Sequence, residues 1–298
     1  MSVSQYYPFY GRKNRIRMGL SSIPPSEWIK YDHDYSKRIY EKKYLINEQR
    51  DRVIQSIKGS EAAQHELLNE IILFIEKYQS DLFSVNANTI SSYQDGQMYN
   101  LSEYKSTPLE LISYLAIDDF CLLEEYNDDY RLMAASVCSP TYWELSEKIG
   151  RPMREVHAPI VSLEEKIGRM IRYFFTNLKS DDYFQRSNWF LMTTPDMSLF
   201  KDRYEMDINI NNLNIHNIMN KLYLRCERQS FRKLKQSKNI AFGIRIYVAP
   251  LSIVEKYTEI AEDLIMSINT MTADQRELFG VGSYEKILVS YLETVLQP

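Results

Sequence analysis

The order of extended and helical runs along the chain restricts its fold more than any other feature. Two strand-like runs, Asp119 to Leu123 and Tyr130 to Cys138, flank Asn127-Asp128-Asp129, whose residue types supply the turn of a β-hairpin. Pro140 ends the second run. Helical stretches are predicted over Tyr142 to Ile149 and Leu163 to Leu178. In the second, Leu163, Ile167, Met170, Ile171, Phe174 and Phe175 recur at helical spacing and predict one broad buried stripe. Three more strands are predicted over Asn188 to Thr194, Leu222 to Phe231 and Ile240 to Val248. The last is rich in β-branched and aromatic residues and stops at Pro250. A hairpin, a helical block and three further strands place the chain in the α+β class.

Helices flank this centre. Residues 1–27 are rich in Tyr, Pro and Arg and read as an irregular leader, with the folded part beginning at Trp28. From Glu61 to Tyr78, Leu68, Ile71, Ile72 and Ile75 mark a helix face. Ile253, Tyr257, Ile260, Ala261, Leu264, Ile265 and Ile268 mark another, and a shorter helix is predicted from Tyr284 to Val295. Both C-terminal helices are expected to pack back on the sheet. With 298 residues the chain is long enough to bury about 70 to 75% of its unfolded surface.

A net charge of −4 gives no bulk attraction to nucleic acid. Cys121, Cys138 and Cys226, an odd number at wide spacing in apolar runs, read as reduced core thiols and point to a cytoplasmic protein. Arg12, Lys13, Arg15 and Arg17 have no apolar run behind them, and no window approaches the roughly 20 residues of a membrane span. The 23 tyrosines and the asparagine-rich stretch from Asp207 to Asn220 suggest no function.

Among four histidines, His157 has the surroundings of a site. Gly150 and Pro152 close the segment before it, and Ser162 with Glu165 forms a capping box that opens the next helix. Pro159 biases Ala158 toward extended geometry, so the imidazole is presented on a short arm before a helix N-terminus, as metal and haem ligands are. A lone histidine capping a helix or packing in a joint is the alternative. His33, His65 and His216 lie in polar or helical-surface contexts.

The element order is that of a PAS domain, in which the helical block covers one side of a five-stranded antiparallel sheet and encloses a ligand. Several blocks also resemble the α-subunit family of haem-dependent oxidative N-demethylases. They are Asp118 to Leu123, Tyr142 to Leu145, Glu147 to Pro152, His157-Ala158-Pro159, Arg186 to Trp189, Arg225 to Leu234, and Phe242 to Leu251. With the opening Trp28 to Tyr35 and the C-terminal helices they span about Trp28 to Leu292. The departures are Ile160, Val161 and Ser162 where the family has valine, proline and glycine, Ser230-Phe231 for threonine-leucine, and Lys235 for proline. The resemblance implies a single PAS-like haem-binding domain over residues 28–298 with helical extensions, His157 as ligand of a haem b iron, and oxidative N-demethylation of a small secondary amine with oxygen. Electrons would come from NADPH through a separate flavin or iron-sulfur reductase. With only nine glycines and no G-x-G-x-x-G, the chain shows no nucleotide loop of its own. A homodimer is a further expectation of the scaffold.

Demethylation requires groups to polarise oxygen and to hold an ammonium. In a regular strand Arg225, Glu227 and Gln229 share one face, and Leu224, Cys226 and Arg228 share the other. Arg225 is therefore the expected donor to bound oxygen and Glu227 the partner of the amine, with Arg228 an alternate donor if a bulge shifts the register. The same pattern also fits an Arg/Glu cross-strand pair closing a sheet surface. Asn188 and Trp189 are placed against the haem or the pocket wall, Trp189 being equally suited to the core. Arg228, Arg232, Lys233, Lys235 and Lys238 form a basic patch that suits either docking of an acidic reductase or protection of an edge strand. A haem or small-molecule sensor without turnover is the competing function, because its iron ligand would be identical.

Overall fold

The computed structural model describes residues 19–156, 168–203, 212–273, 276 and 281–297. Its first elements are β1 (Ser21–Ser22), α1 (Tyr35–Val53), β2 (Ile54–Ser56) and α2 (Glu61–Tyr78). A small three-stranded sheet follows, built from β3 (Phe83–Val85), β4 (Thr89–Ser92) and β5 (Met98–Asn100), then α3 (Pro108–Leu115). The centre comprises β6 (Asp119–Tyr126), β7 (Asp129–Ser136), α4 (Met153–Val156), α5 (Arg169–Asn177), β8 (Phe184–Met192), α6 (Ile218–Lys221), β9 (Tyr223–Lys233) and β10 (Ile240–Pro250). The chain closes with α7 (Ile253–Lys256), α8 (Thr258–Asn269) and α9 (Glu285–Val295).

The main sheet is antiparallel, in the order β1-β8-β9-β10-β6-β7-β2. It has seven strands where five were expected. The two additional strands are short edge pieces, one of two residues and one of three that continues directly from α1, and neither is long enough to show alternation. The hairpin β6–β7 turns through Asn127 and Asp128 at φ 48° and 59°, the left-handed geometry that a tight hairpin requires and that Asn and Asp tolerate. Helix α2 spans the residues its periodicity predicts.

Three other expectations are corrected. Between Tyr142 and Ile149 the chain is not a helix, apart from one 3-10 turn over Leu145–Glu147. Tyr142 takes φ 57°, and its N–H donates to the Leu199 carbonyl at 2.6 Å, so the segment is drawn to a distant loop instead of coiling. Strand β8 begins at Phe184 and ends at Met192, earlier than predicted at both ends. Of the stripe expected to be broadly buried on α5, only Phe175 is buried. Ile171 and Phe174 are half-buried and Met170 is 48% exposed, while Leu163 and Ile167 lie outside the described residues.

One face of the sheet is covered at both ends. The N-terminal helices bring Trp28, Ile39, Leu67, Ile71 and Ile112 against Phe120, Leu122, Ala134 and Ala241. The C-terminal helices bring Val254, Ile260, Leu264, Leu288 and Leu292 against Trp189, Leu191, Leu224 and Cys226, as expected. Gly243 sits where a Cβ would come within 2.5 Å of Ser230 Oγ and 3.1 Å of Phe120, so only glycine fits the strand there. All three cysteines are buried and free. No helix among the described residues is long and apolar enough to cross a membrane.

The same face holds buried charge. Arg228 donates to the carbonyls of Glu27 and Trp28 and to Gln185, fastening the N-terminal segment to the sheet. Arg232 lies between the rings of Trp28 and Tyr183, at 4.8 and 4.7 Å, and pairs with Glu70 at 2.9 Å. Both arginines are only 6% exposed, so the expected exposed basic patch reduces to Lys235 and Lys238, with Lys233 half-buried. Arg245 pairs with Asp32 and Asp34, and Lys42 with Asp119.

Asp118 lies 3.9 Å from Arg228, yet neither of its oxygens has a hydrogen-bond donor among the described residues. Burial raises its pKa to about 6, against the opposing pull of Arg228, Arg245 and Lys42. Because the folded value lies above the unfolded one, the neutral acid is favoured by folding. That stabilisation is complete below the unfolded pKa and is lost as pH rises through about 6, a change of about 3 kcal/mol for two pKa units. Asp118→Asn is therefore expected to melt higher relative to wild type at about pH 7.5 than at about pH 5. A difference in melting temperature that is constant with pH would refute ionisation of a buried Asp118.

Candidate functional site

Strand β9 pairs with β8 on one side and β10 on the other without a register shift. The unbroken alternation puts Arg225, Glu227, Gln229 and Phe231 on the face toward α4 and α5, joined by Arg186 and Asn188 from β8 and by Phe242 and Ile244 from β10. Arg228 remains on the opposite face, since no bulge is present in β9. Trp189 is there too, 5% exposed, within the cluster shared with the C-terminal helices. Asn188 stands directly across from Glu227.

On the covered face Cys226, Arg228, Ser230, Ala241, Gly243 and Arg245 are all buried. On the other, Glu227, Gln229, Phe242, Ile244, Arg186 and Asn188 are only half-buried although β9 and β10 are interior strands. Large side chains at the middle of a sheet stay partly uncovered only where the layer above leaves a hollow. An adjoining cleft of about 580 Å³ opens between α5 and the start of β8, lined by Arg169, Met170, Tyr173, Phe174, Leu178 and Phe184. Its size is within the range of small-molecule and cofactor sites. Phe231 and Phe242 stack at 4.9 Å on the sheet beside it, with Phe174 edge-on to Phe184 and Phe231.

Glu227 is held by neutral donors. Thr141 Oγ1 donates to Glu227 Oε1 at 2.9 Å, and Gln229 Nε2 donates to Oε2 at 3.2 Å. Thr141 in turn accepts from Arg225 Nε at 3.0 Å. Arg225 is fully buried, and its remaining nitrogens donate to four carbonyls: Ser139 at 2.9 Å, Pro140 at 3.3 Å, Met197 at 3.0 Å and Asp196 at 3.3 Å. One guanidinium thus ties the 139–141 loop to the 196–197 loop and sets the hydroxyl that orients Glu227. Burial lowers its pKa to about 10, leaving it charged, with Glu227 opposing the shift. The loop is fastened again by Ser139 N–H donating to Asp119 Oδ2 at 2.7 Å and by Arg38 donating to Ser139 Oγ at 2.9 Å.

Two more cations face this group. Arg186 donates to Asn188 Oδ1, while its buried Nε has no acceptor among the described residues. Lys148 lies 4.3 Å from the centre of the Trp143 ring. Burial pulls both below their ordinary pKa values, and Glu227 draws both back up. Arg186 was missed because the predicted strand began two residues later. Thr141 and Lys148 come from a loop whose approach to β9 no local pattern encodes. His157 lies outside the described residues, and His33, His65 and His216 are all exposed.

The family model for haem-dependent oxidative N-demethylase, alpha subunit-like, matches residues 19–289. The chain belongs to this family. The family's description is that of a haem-dependent oxidoreductase, and an α-subunit implies a partner subunit. The described residues of this demethylase-family chain fit a flat apolar prosthetic group. The cleft is walled by Met170, Tyr173, Phe174 and Phe184, and Phe242 and Ile244 are left half-covered beside a polar group built on Glu227. Among the described residues no cluster of three or more His, Cys, Asp or Glu is placed to hold a bare metal ion.

If Arg225 is the clamp of this site, Arg225→Lys, which keeps the charge but loses the planar fork, is expected to cost about 2 to 4 kcal/mol in chemical denaturation because several buried carbonyls lose their donors. An unchanged denaturation midpoint would remove the clamp role.

Proposed function

We propose that this chain is the haem-bearing, oxygen-activating subunit of an enzyme that removes a methyl or small alkyl group from a secondary amine, with electrons supplied by a separate reductase. The observation that carries this reading is the carboxylate of Glu227, fixed by Thr141 and Gln229 in a half-buried hollow of a chain that belongs to the demethylase family. The long strands support a PAS-like centre: a hairpin, β6–β7, and a three-strand meander, β8–β9–β10, enclose α4 and α5 in sequence and turn one face toward them.

His157 is the proposed iron ligand, and the surface exposure of the other three histidines supports it. Haem, when bound, supplies the redox chemistry that activates oxygen. The chain's residues supply the rest. Glu227 receives the substrate ammonium, since its two neutral donors orient the carboxylate without cancelling its charge. Arg225 serves at one remove, through Thr141, by fixing where that carboxylate points. Asn188, across the strand from Glu227, borders the same hollow and holds Arg186. Trp189 and Arg228 support the site from behind, one in the C-terminal core and the other anchoring residues 27 and 28. Reductant drawn from NADPH through a flavin or iron-sulfur partner completes the proposed system, with Lys235 and Lys238 as the exposed cations available to an acidic partner.

Absorption spectra of protein expressed with haem precursor, recorded with and without dithionite and carbon monoxide, test the cofactor. A Soret band that shifts on reduction and is lost in His157→Ala is expected, and a colourless protein that takes up no added haemin would defeat the proposal. Formaldehyde release from secondary amines with a surrogate electron donor separates an enzyme from a sensor. Glu227→Gln is expected to weaken amine binding while leaving haem content unchanged.

A further inference from the structure

The charge around Glu227 does not balance. Two half-buried cations, Arg186 and Lys148, face Glu227, and neither has an ion-pair contact among the described residues; Lys148 is also offset by Glu147, whereas Arg186 has Glu227 alone. Arg225, the third nearby cation, has its nitrogens occupied by carbonyls and Thr141. A simple dialkylammonium ion would add another positive charge to a hollow that already has an excess, at a Coulombic cost that grows as water is excluded. A substrate carrying its own anion would remove the excess.

The register indicates where that anion belongs. Asn188 is opposite Glu227 and Arg186 is opposite Gln229, so the Arg186 guanidinium is the diagonal neighbour of the amine-holding carboxylate on the same face. Asn188 accepts from one Nη, while the Nε edge is buried with no acceptor among the described residues. A free guanidinium edge is the geometry that receives a carboxylate, and a lysine beyond Glu227 adds to the positive field. An N-alkyl α-amino acid carries its ammonium and carboxylate on one carbon, close enough together to address neighbouring side chains of paired strands.

We infer that the substrate of this site is an N-alkylated amino acid, with its ammonium on Glu227 and its carboxylate on the unpartnered edge of Arg186. The inference rests on the demethylase function proposed above and narrows its substrate class. Isothermal calorimetry with N-methylglycine and with dimethylamine tests it, because heat reports binding whether or not haem is present. Wild type is expected to bind N-methylglycine at least about tenfold more tightly than dimethylamine, as a charged hydrogen-bonded pair would provide. Arg186→Gln removes that preference with haem content and melting temperature unchanged, and Arg186→Lys retains part of it.

Equal binding of the two amines by wild type would overturn the inference. So would an Arg186→Gln protein that keeps the preference but loses haem, since the guanidinium would then serve the prosthetic group's acidic edge. A colourless protein that still prefers N-methylglycine would uphold the acid-group inference while defeating the demethylase function.

Discussion

The uninterrupted pairing of β9 with both neighbours is the constraint on which the rest depends. Eleven consecutive residues of β9 pair with β10, and nine pairs join it to β8. In such a strand a shift by one residue would exchange every side chain between faces. Residues 225, 227 and 229 therefore border the hollow, and residues 224, 226, 228 and 230 are locked into the covered face. That covered face is over-determined. Leu224 and Cys226 are buried against the C-terminal helices, and Arg228 and Arg232 are held by the N-terminal segment. Register is secured from behind, which frees the front face to carry polar groups that contribute little to folding.

Charged groups are distributed unevenly between the faces. Behind the sheet Arg245 has two carboxylates, Lys42 has Asp119, and Arg232 has Glu70 together with two aromatic rings. In front, Arg225 is satisfied by carbonyls, whereas Arg186 has no carboxylate partner among the described residues; the missing carboxylate sets it apart, since the Nε atoms of Arg38, Arg232 and Arg245 are also buried without an acceptor there. Buried ions that serve only architecture are expected to be fully paired, because an unpaired one costs several kcal/mol. Arg186 is a half-buried cation without a carboxylate partner among the described residues, placed on β8 just past the two residues that β1 covers, and it is therefore open to an anion.

Much of this arrangement was legible in the residues. The hairpin turn at Asn127 and Asp128 follows from side chains that tolerate left-handed geometry, and α2 follows from a clean apolar period. The division of β9 into two faces follows from strand alternation alone. Other parts resist such reading for identifiable reasons. Strands β1 to β5 have two to four residues each, too few for a period to emerge. The helix predicted from Tyr142 lost to tertiary contacts, since its first N–H finds a carbonyl at Leu199 and Arg225 holds the carbonyls just before it. The beginning of β8 was hidden because Gln185, Arg186 and Ser187 are polar on both faces of an interior strand, the pattern expected of a loop.

Arg225 and Arg228 show why residue type alone could not assign the site. They are three positions apart and both are buried, and either would suit a donor role from composition alone. Their different work follows from strand parity. Arg225 faces the 139–141 and 196–197 loops and meets carbonyls and Thr141, so it controls the carboxylate of Glu227. Arg228 faces Glu27, Trp28, Gln185 and Asp118, so it controls how the N-terminal segment closes over the back of the sheet. Arg186, two strand positions from Asn188, shares the parity of Arg225 but lacks its set of carbonyls. The same guanidinium is a clamp where loops surround it and a receptor edge where a hollow does, so the neighbouring loops decide which arginine is available to a ligand.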